Sequence, residues 1–222
     1  MNNLTIAIDG DGIGWITLDD GKANVMSMVM LEALKSALEH TAANARVTVL
    51  RGRPGIFSAG FDLKTLQRGE QATRDMLDAG IRIIRRMLDH PHPIVSGCSG
   101  HAYPMGAFLL LSSDVRIGVE GDWRIGLNEV AIGLTLPHFA LALARYRLSP
   151  SGLARIATAT MFAPEEAVAA GYLDSVVAET DLTDACREAA LALTRLHPEA
   201  YVGTKQRLTA SVREAIDTAP RY

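Results

Sequence analysis

The sequence predicts an α/β fold in which parallel strands are joined by right-handed helical crossovers. Between residues 47 and 117, short apolar segments alternate with segments of helical periodicity, in the order strand, helix, strand, helix, strand. Such alternation is typical of parallel sheets. Of the 222 residues, 48% are hydrophobic and 21% are charged, as in folded globular proteins. We expect an α/β core over residues 1–180 and a helical segment over residues 181–222.

The N-terminal elements are a predicted β-hairpin, a helix and a strand. Apolar residues alternate over residues 4–18 around a central Asp-Gly turn, which predicts two antiparallel strands. Leucines recur at helical spacing over residues 28–41, and Ser27 is suited to cap this helix. The apolar run at residues 47–50 predicts the first parallel strand.

The rest of the chain predicts further helices and short strands. Two prolines end the second predicted helix, because a proline disfavours helical backbone at the residue before it. Beyond about residue 138 the pattern is mostly helical. The predicted helices cover 71–89 and 105–111, and the predicted strands cover 94–98, 115–117 and 176–177.

Several classes of function are disfavoured by composition. The net charge of −3 argues against a nucleic-acid partner. The sequence shows neither a signal-peptide pattern nor an apolar run long enough for a membrane span. The two cysteines, Cys98 and Cys186, are too few for a disulfide framework, so a cytoplasmic location is expected. Cysteines and histidines also lack zinc-site spacing, so no metal is expected.

Two segments rich in small residues follow predicted strands, at 55–63 and 97–107. Ligands of open α/β sheets bind outside the carboxyl ends of strands, and small residues let a ligand approach the backbone. Pro104 suits a first helical turn, so the Met105 N–H should be a donor without a helical partner. Such a donor favours negative charge on an oxygen. Ordinary tight connections are the alternative interpretation.

Glu129 is a candidate for proton transfer. It lies in an otherwise largely apolar stretch over residues 123–134. Apolar surroundings disfavour a charged carboxylate and raise its pKa, which suits proton transfer near neutral pH. A solvated surface glutamate is the alternative interpretation.

Six motifs together resemble the crotonase superfamily, the enoyl-CoA hydratase/isomerase family. Each motif is weak alone, but their order and spacing over residues 5–210 are specific. They are the segments 20–24, 57–63, 100–106, 113–117, 128–134 and 163–174.

The resemblance implies a crotonase-like spiral of ββα turns with a C-terminal helical trimerisation region, which is shorter here than in most of the family. It also implies an acyl-CoA thioester as the substrate, with coenzyme A as part of that substrate and no separate cofactor. A homotrimer or a dimer of trimers is the implied assembly. Asp114 resembles the structural aspartate of the family and is assigned no chemistry.

The resemblance also implies the catalytic groups. Two backbone N–H groups polarise the thioester carbonyl, and by position these are Ala59 and Met105. Glu129 matches the second of two glutamates that hydratases use. The first would fall at Phe108, which is not a carboxylate. One carboxylate suffices to move a proton between two carbons, so isomerisation of 3-enoyl-CoA to 2-enoyl-CoA is slightly favoured. A 2-enoyl-CoA hydratase and a non-catalytic acyl-CoA binder are the alternatives.

The residues expected to contact the substrate come from the two loops and from the segment after Glu129. Lys22 and Lys64 are candidates for contact with a CoA phosphate, with solvated lysines as the alternative. Asp62 is favoured as a helix cap over a catalytic group. The full set is Lys22, Ala23, Ser58, Gly60, Phe61, Asp62, Leu63, Lys64, Phe108, Leu134, Pro137 and His138.

Overall fold

The computed structural model describes residues 3–218, which form a main sheet, a small second sheet and surrounding helices. The strands are β1 (Leu4–Ile8), β2 (Ile13–Leu18), β3 (Val47–Arg51), β4 (Gly55–Ser58), β5 (Ile94–Cys98), β6 (Gly100–Ala102), β7 (Val115–Val119) and β8 (Ser175–Val177). The helices are α1 (Met28–Asn44), α2 (Leu63–Leu66), α3 (Glu70–Leu88), α4 (Pro104–Leu111), α5 (His138–Arg147), α6 (Pro150–Ala154), α7 (Pro164–Ala170), α8 (Leu182–Leu193), α9 (Pro198–Leu208) and α10 (Ala210–Asp217).

The main sheet has the strand order β1-β2-β3-β5-β7-β8. Strands β1 and β2 form the predicted antiparallel hairpin, and the remaining neighbours are parallel. This arrangement confirms the predicted hairpin and the predicted parallel strands. Among the helices of residues 3–218, none combines the length and apolarity that a membrane crossing requires.

Helix α1 begins where the sequence predicts. The Ser27 hydroxyl accepts a hydrogen bond from the Met30 N–H at 3.3 Å, which satisfies a donor that the first helical turn leaves without a partner. Leu31, Leu34 and Leu38 lie on one face of the helix and are buried in the core. The helical spacing of these leucines therefore correctly identifies the face of α1 that packs against the sheet.

The two glycine-rich segments are not simple loops, which corrects the sequence-based interpretation. Each contains a short strand, and these strands, β4 and β6, pair in parallel as a second sheet. Gly100 permits the pairing, because a Cβ at that position would overlap the Gly55 carbonyl group. Strands this short and this rich in glycine carry no alternating apolar pattern, so their sequence does not predict them.

A cluster of Asp114, Tyr201 and Lys205 connects α9 to the main sheet. Asp114, just before β7, accepts hydrogen bonds from the Ile94 N–H at 2.8 Å, from the Tyr201 hydroxyl at 2.9 Å and from Lys205 Nζ at 2.9 Å. Lys205 is buried, and its Nζ also donates to the Tyr201 hydroxyl. These contacts agree with the structural role expected for Asp114.

We predict that Lys205→Met lowers the free energy of unfolding by about 3 kcal/mol, because it leaves the half-buried Asp114 charge without its cation. Lys35→Met is the matched control, since Lys35 forms an exposed pair with Glu32 at 3.4 Å and should matter little. Urea unfolding of both variants measures the difference. Equal losses in the two variants would contradict a structural role for the cluster.

Candidate active site

The small sheet directs three segments of the chain to one edge. Strands β4 and β6 run parallel, and the segment 124–126 pairs in parallel with the end of β6. Three residues occupy equivalent places beyond these segments. Phe61 is the third residue after β4, Met105 is the third after β6, and Glu129 is the third after the segment 124–126. Because parallel strands end at the same edge of a sheet, this edge is where a ligand of the fold would bind.

Two glycines let these segments approach each other closely. A Cβ at Gly106 would lie only 2.8 Å from the Ser58 carbonyl oxygen, so α4 packs directly on the end of β4. Gly60 has a φ of +86°, and a Cβ there would lie 3.6 Å from the Met105 nitrogen. The backbone after β4 therefore lies against the N-terminus of α4.

Ala59 does not have the free N–H that the sequence analysis assigned to it. Its N–H donates to the Ala23 carbonyl oxygen at 2.9 Å. The Ser58 hydroxyl beside it donates to the Asn24 carbonyl oxygen at 2.7 Å, so the segment at residues 23–24 is bound to the end of β4. The interpretation of Ala59 as an oxyanion donor is therefore corrected.

The backbone N–H of Phe61, and not that of Ala59, faces away from the neighbouring segment at Met26. The sequence did not identify Phe61 as an oxyanion donor. Met26 bridges Phe61 in parallel, and the Met26 N–H donates to the Gly60 carbonyl oxygen at 2.8 Å. In this register the N–H of Phe61 points away from Met26. Within residues 3–218 the N–H groups of Phe61 and Met105 have no hydrogen-bond acceptor. Only the register with Met26 identifies Phe61, and the sequence carries no signal for that register.

The Met105 side chain is directed into the core. Met105 is fully buried, and its methyl carbon would lie 3.5 Å from a Cβ placed on Gly80 of α3. The Phe61 ring approaches the same glycine, with its Cζ atom 2.5 Å from that Cβ position. A bulky residue therefore fits at the first turn of α4 because Gly80 leaves room for it, while its backbone N–H remains at the edge of the small sheet.

Glu129 is buried at the start of a 3-10 helix over Glu129–Ile132. Its side chain is 8% exposed, and its Oε2 atom has no hydrogen-bond partner among residues 3–218. Burial raises the pKa of Glu129 to about 7, although a hydrogen bond from its own backbone N–H opposes this shift. The structure thus rules out the alternative of a solvated glutamate, and a carboxyl group with this pKa exchanges protons readily near neutral pH.

Tyr172 lies close to Glu129, and in the sequence it stands out only as part of the motif at residues 163–174. Its ring centre is 5.6 Å from that of Phe162, and Phe162 pairs with Ile125 in the segment that leads to Glu129. Burial raises the pKa of Tyr172, and the nearby Glu129 carboxylate raises it further. The phenol therefore stays protonated next to the carboxylate. A lone tyrosine in a short turn gives no sequence signal for this position.

Asp62 caps α2, as the sequence predicts. Its carboxylate accepts hydrogen bonds from the Lys64 N–H at 3.2 Å and from the Thr65 hydroxyl at 2.7 Å. The hydrogen bond from Thr65 is the main reason that the pKa of Asp62 is lowered. Leu63 and the Lys64 side chain are exposed on this helix, beside the edge where Phe61 lies.

Lys22 is exposed in the loop before α1, and its backbone is held in place by a residue that sequence reasoning missed. Arg53 Nη1 donates to the Lys22 carbonyl oxygen at 2.7 Å, and Arg53 Nε lies 3.7 Å from Asp19 Oδ1. An arginine between two short strands carries no distinctive sequence signal.

The substrate-contact residues predicted beyond Met105 do not share one surface in this chain. Phe108 is buried in α4, with its ring centre 6.1 Å from that of Phe139 in α5. Leu134 is 51% exposed, and His138 is exposed at the first position of α5, directly after Pro137. The structure therefore brings Phe61, Met105 and Glu129 to one edge, and leaves Leu134 and His138 at the surface.

The order of these segments along the chain matches a known family. The family model described as enoyl-CoA hydratase/isomerase matches residues 9–221. The chain belongs to the enoyl-CoA hydratase/isomerase family. It is an enzyme with the α/β crotonase fold, and the resemblance found in its motifs is confirmed.

Individual relatives agree with this assignment. A probable enoyl-CoA hydratase of Bacillus subtilis is 30% identical over 179 residues, which cover 78% of this chain and 68% of the relative. The crystal structure of an enoyl-CoA hydratase/isomerase family protein from Pseudomonas syringae is 40% identical, with a TM-score of 0.94 over 98% of this chain and 94% of that chain. An enoyl-CoA isomerase structure from Mycobacterium tuberculosis is 35% identical, with a TM-score of 0.90 over 97% and 96% of the two chains.

We predict that Glu129→Gln makes the stability of this enzyme less dependent on pH. The folded pKa of about 7 lies above the reference value of 4.5, so the folded wild type loses stability as the pH rises from about 4.5 through 7. At pH 8 the variant should be more stable than the wild type by up to about 3 kcal/mol, and below pH 4 the difference should vanish.

Urea unfolding of both proteins between pH 4 and pH 8 measures this difference. A constant difference across the range would mean that Glu129 titrates at its ordinary value in the folded protein.

Proposed function

We propose that this enzyme isomerises 3-enoyl-CoA to 2-enoyl-CoA with Glu129 as its proton carrier. The observation that carries the proposal is Glu129, whose buried carboxylate has an oxygen without a hydrogen-bond partner among residues 3–218 and lies at the edge where the Phe61 and Met105 N–H groups also lie. The position where a second carboxylate would be expected holds Phe108, which packs on Phe139.

The proposed reaction moves one proton within the substrate. Ionised Glu129 removes a proton from C2 of the 3-enoyl thioester, and the electron pair of that C–H bond moves into the thioester carbonyl to form a dienolate. The protonated Glu129 then returns the proton to C4. The double bond moves from C3–C4 to C2–C3, and both the enzyme and the atom count of the substrate are unchanged. A carboxyl group with a pKa near 7 suits both halves of this cycle.

The negative oxygen of the dienolate needs donors that are already in place. We propose the backbone N–H groups of Phe61 and Met105 for this role, with Phe61 in place of Ala59. Both N–H groups lack an acceptor within residues 3–218, and the Met105 N–H lies at a helix N-terminus, where the partial positive charge favours an anion. Preorganised donors of this kind contribute about 3 kcal/mol each to transition-state stabilisation.

For the CoA portion, we propose the loop around Lys22 and the first turn of α2 around Lys64. Both lysines are exposed, and neither forms an ion pair with an acidic residue within residues 3–218. Each is therefore available to bind a phosphate. Arg53 holds the Lys22 loop in place through the Lys22 carbonyl oxygen, and Asp62 holds the start of α2.

Hydration of 2-enoyl-CoA is the second candidate function. The relative from Bacillus subtilis is described as a probable hydratase, whereas the relative from Mycobacterium tuberculosis is described as an isomerase in one structure and as a probable hydratase in another. Syn addition of water requires one group to activate the water and another to manage the second proton. His138 is the candidate for this second group, but it is exposed at the start of α5. Isomerisation needs no second group, so we favour it.

A homotrimer or a dimer of trimers is the assembly that we propose from the family resemblance. The exposed apolar side chains of Val130, Ile132 and Leu134 support it, because they form a cluster beside Glu129 that a neighbouring subunit would cover.

We predict that Glu129→Gln lowers kcat for a medium-chain 3-enoyl-CoA by about 10²–10⁴-fold and changes the Kd of a CoA thioester by less than about threefold. The carboxylate moves a proton but contributes little to ground-state binding. Product mass and the absorbance of the conjugated thioester identify the reaction. An unchanged mass with rising absorbance supports the isomerase. A product heavier by one water would instead establish the hydratase, and undiminished activity of the variant would exclude Glu129 as the proton carrier.

We predict that Gly106→Ala lowers kcat by about 10²-fold while the protein remains folded, since its methyl group would push α4 away from Ser58 and displace the Met105 N–H. Gly203→Ala is the matched control, because a Cβ at that helical glycine meets nothing within 4 Å. Steady-state kinetics and circular dichroism of both variants test this. If Gly106→Ala retains full kcat, the Met105 N–H is not an oxyanion donor.

A further inference from the structure

Strand β1 is an edge of the main sheet, and its own residues Leu4–Ile8 carry none of the usual protection against pairing. It stands at the end of the strand order, and its residues Leu4–Ile8 are uncharged. Its pairing with β2 is regular, without a bulge, and the segment contains no proline. Natural edge strands are commonly blocked by lysines, prolines or bulges, because an open edge is a template for another strand.

The hairpin register determines which backbone groups face the open edge. The Asp9 N–H donates to the Ile13 carbonyl oxygen at 3.1 Å, and the Asp19 N–H donates to the Asn3 carbonyl oxygen at 3.0 Å. Odd-numbered residues of β1 therefore bond to β2, and hydrogen-bonded pairs alternate along an antiparallel ladder. It follows that Leu4, Ile6 and Ile8 direct their N–H and C=O groups outwards.

We propose that a second copy of this chain pairs with this edge, antiparallel and around a two-fold axis at Ile6. In that register Leu4 lies opposite the partner's Ile8, and Ile6 lies opposite the partner's Ile6. Leu4, Ile6 and Ile8 each then exchange both backbone hydrogen bonds with the partner. The two copies would form one continuous sheet, and the same strand supplies both sides of an isologous contact.

The charges next to the strand fit this register. Asn3 would face the partner's Asp9, so an amide and not a second carboxylate meets each aspartate. Asp9 is also balanced within its own chain, because its Oδ2 accepts from Trp15 Nε1 at 2.9 Å and lies 2.9 Å from Arg187 Nη1. The contact therefore places no like charges opposite each other, which antiparallel neighbours do not tolerate.

The side chains also fit. Leu4, Ile6 and Ile8 lie on the face of the sheet that packs on α1, since Leu4 belongs to the same core as Leu31 and Leu34. A cavity of about 450 Å³ lies beside β1. It is lined by Asn3, Leu4, Thr5, Ile6 and Ala33. Ile6 and Ile8 are 39% and 36% exposed. The partner's Ile8, opposite Leu4, is therefore placed beside this cavity and would be buried there.

Pairing at β1 is separate from the apolar cluster beside Glu129, so it would double whatever assembly the other surfaces form. One short strand pair buries less area than a standard stable interface of about 1,600 Å². We therefore expect an association that depends on protein concentration.

A charge exchange at Ile6 tests the proposal, because only a two-fold axis at this residue places the two copies of position 6 opposite each other. Ile6→Lys and Ile6→Glu are each expected to weaken the association about fivefold or more, and an equimolar mixture of the two should recover it. Ile6→Val is the matched control and should keep the wild-type association. Sedimentation equilibrium over a concentration series gives the masses, and circular dichroism checks the fold.

The possible masses distinguish the proposed pairing from its absence. Halved masses for the two charged variants, with recovery in the mixture, support the pairing. Identical masses for the wild type and both charged variants over the whole series would overturn it. Loss of association in both charged variants without recovery in the mixture would also overturn it, since that contact would not be centred on Ile6. None of these readouts depends on the proposed isomerase activity.

Discussion

The parallel pairing of β4 and β6 is the constraint on which the candidate site depends. It requires a glycine at position 100, because any side chain there would overlap the backbone of β4. Once the two strands are paired, the chain after each strand leaves at the same edge, and the segment at 124–126 joins them on the other side of β6. Gly106 then sets how closely α4 approaches β4. Two glycines thus position backbone donors from distant parts of the sequence, and no side chain at the site needs to be polar to do so.

The buried Glu129 carboxylate is costly to the fold. Glu129 is buried with an oxygen that has no hydrogen-bond partner in the described chain, so its ionised form is less stable than in water. The rest of the molecule offsets that cost through two apolar cores, on either side of the main sheet, and through the Asp114–Lys205 cluster that holds α9. The contrast between the two acidic residues is informative: Asp114 accepts three hydrogen bonds and stays fixed, whereas Glu129 is left free to take up a proton.

Periodicity predicts the parts of this structure that bury one face. The hairpin, α1 with its Ser27 cap and the parallel strands of the main sheet follow from local patterns of apolar residues. Strands β4 and β6 do not, because glycine-rich strands are defined by how closely two backbones approach. The same limit explains the error at Ala59: the family motif locates the loop, but the hydrogen bond to Ala23 and the register with Met26 decide which N–H is free. An isolated charge in an apolar stretch made Glu129 a candidate, but the same pattern also fits a solvated glutamate, and its burial is decided by the packing around it.

Phe108 is as informative for the chemistry as Glu129. A second carboxylate in this buried region would repel the first, raise its pKa further and require water or a cation for balance. The phenyl ring instead packs on Phe139, and burial alone raises the pKa of Glu129 to about 7. In the proposed reaction a proton taken from the substrate would stay on the carboxyl group, since the described chain offers that oxygen no hydrogen-bond partner. Return of the proton to another carbon of the same substrate is then the reaction that needs the fewest additional groups.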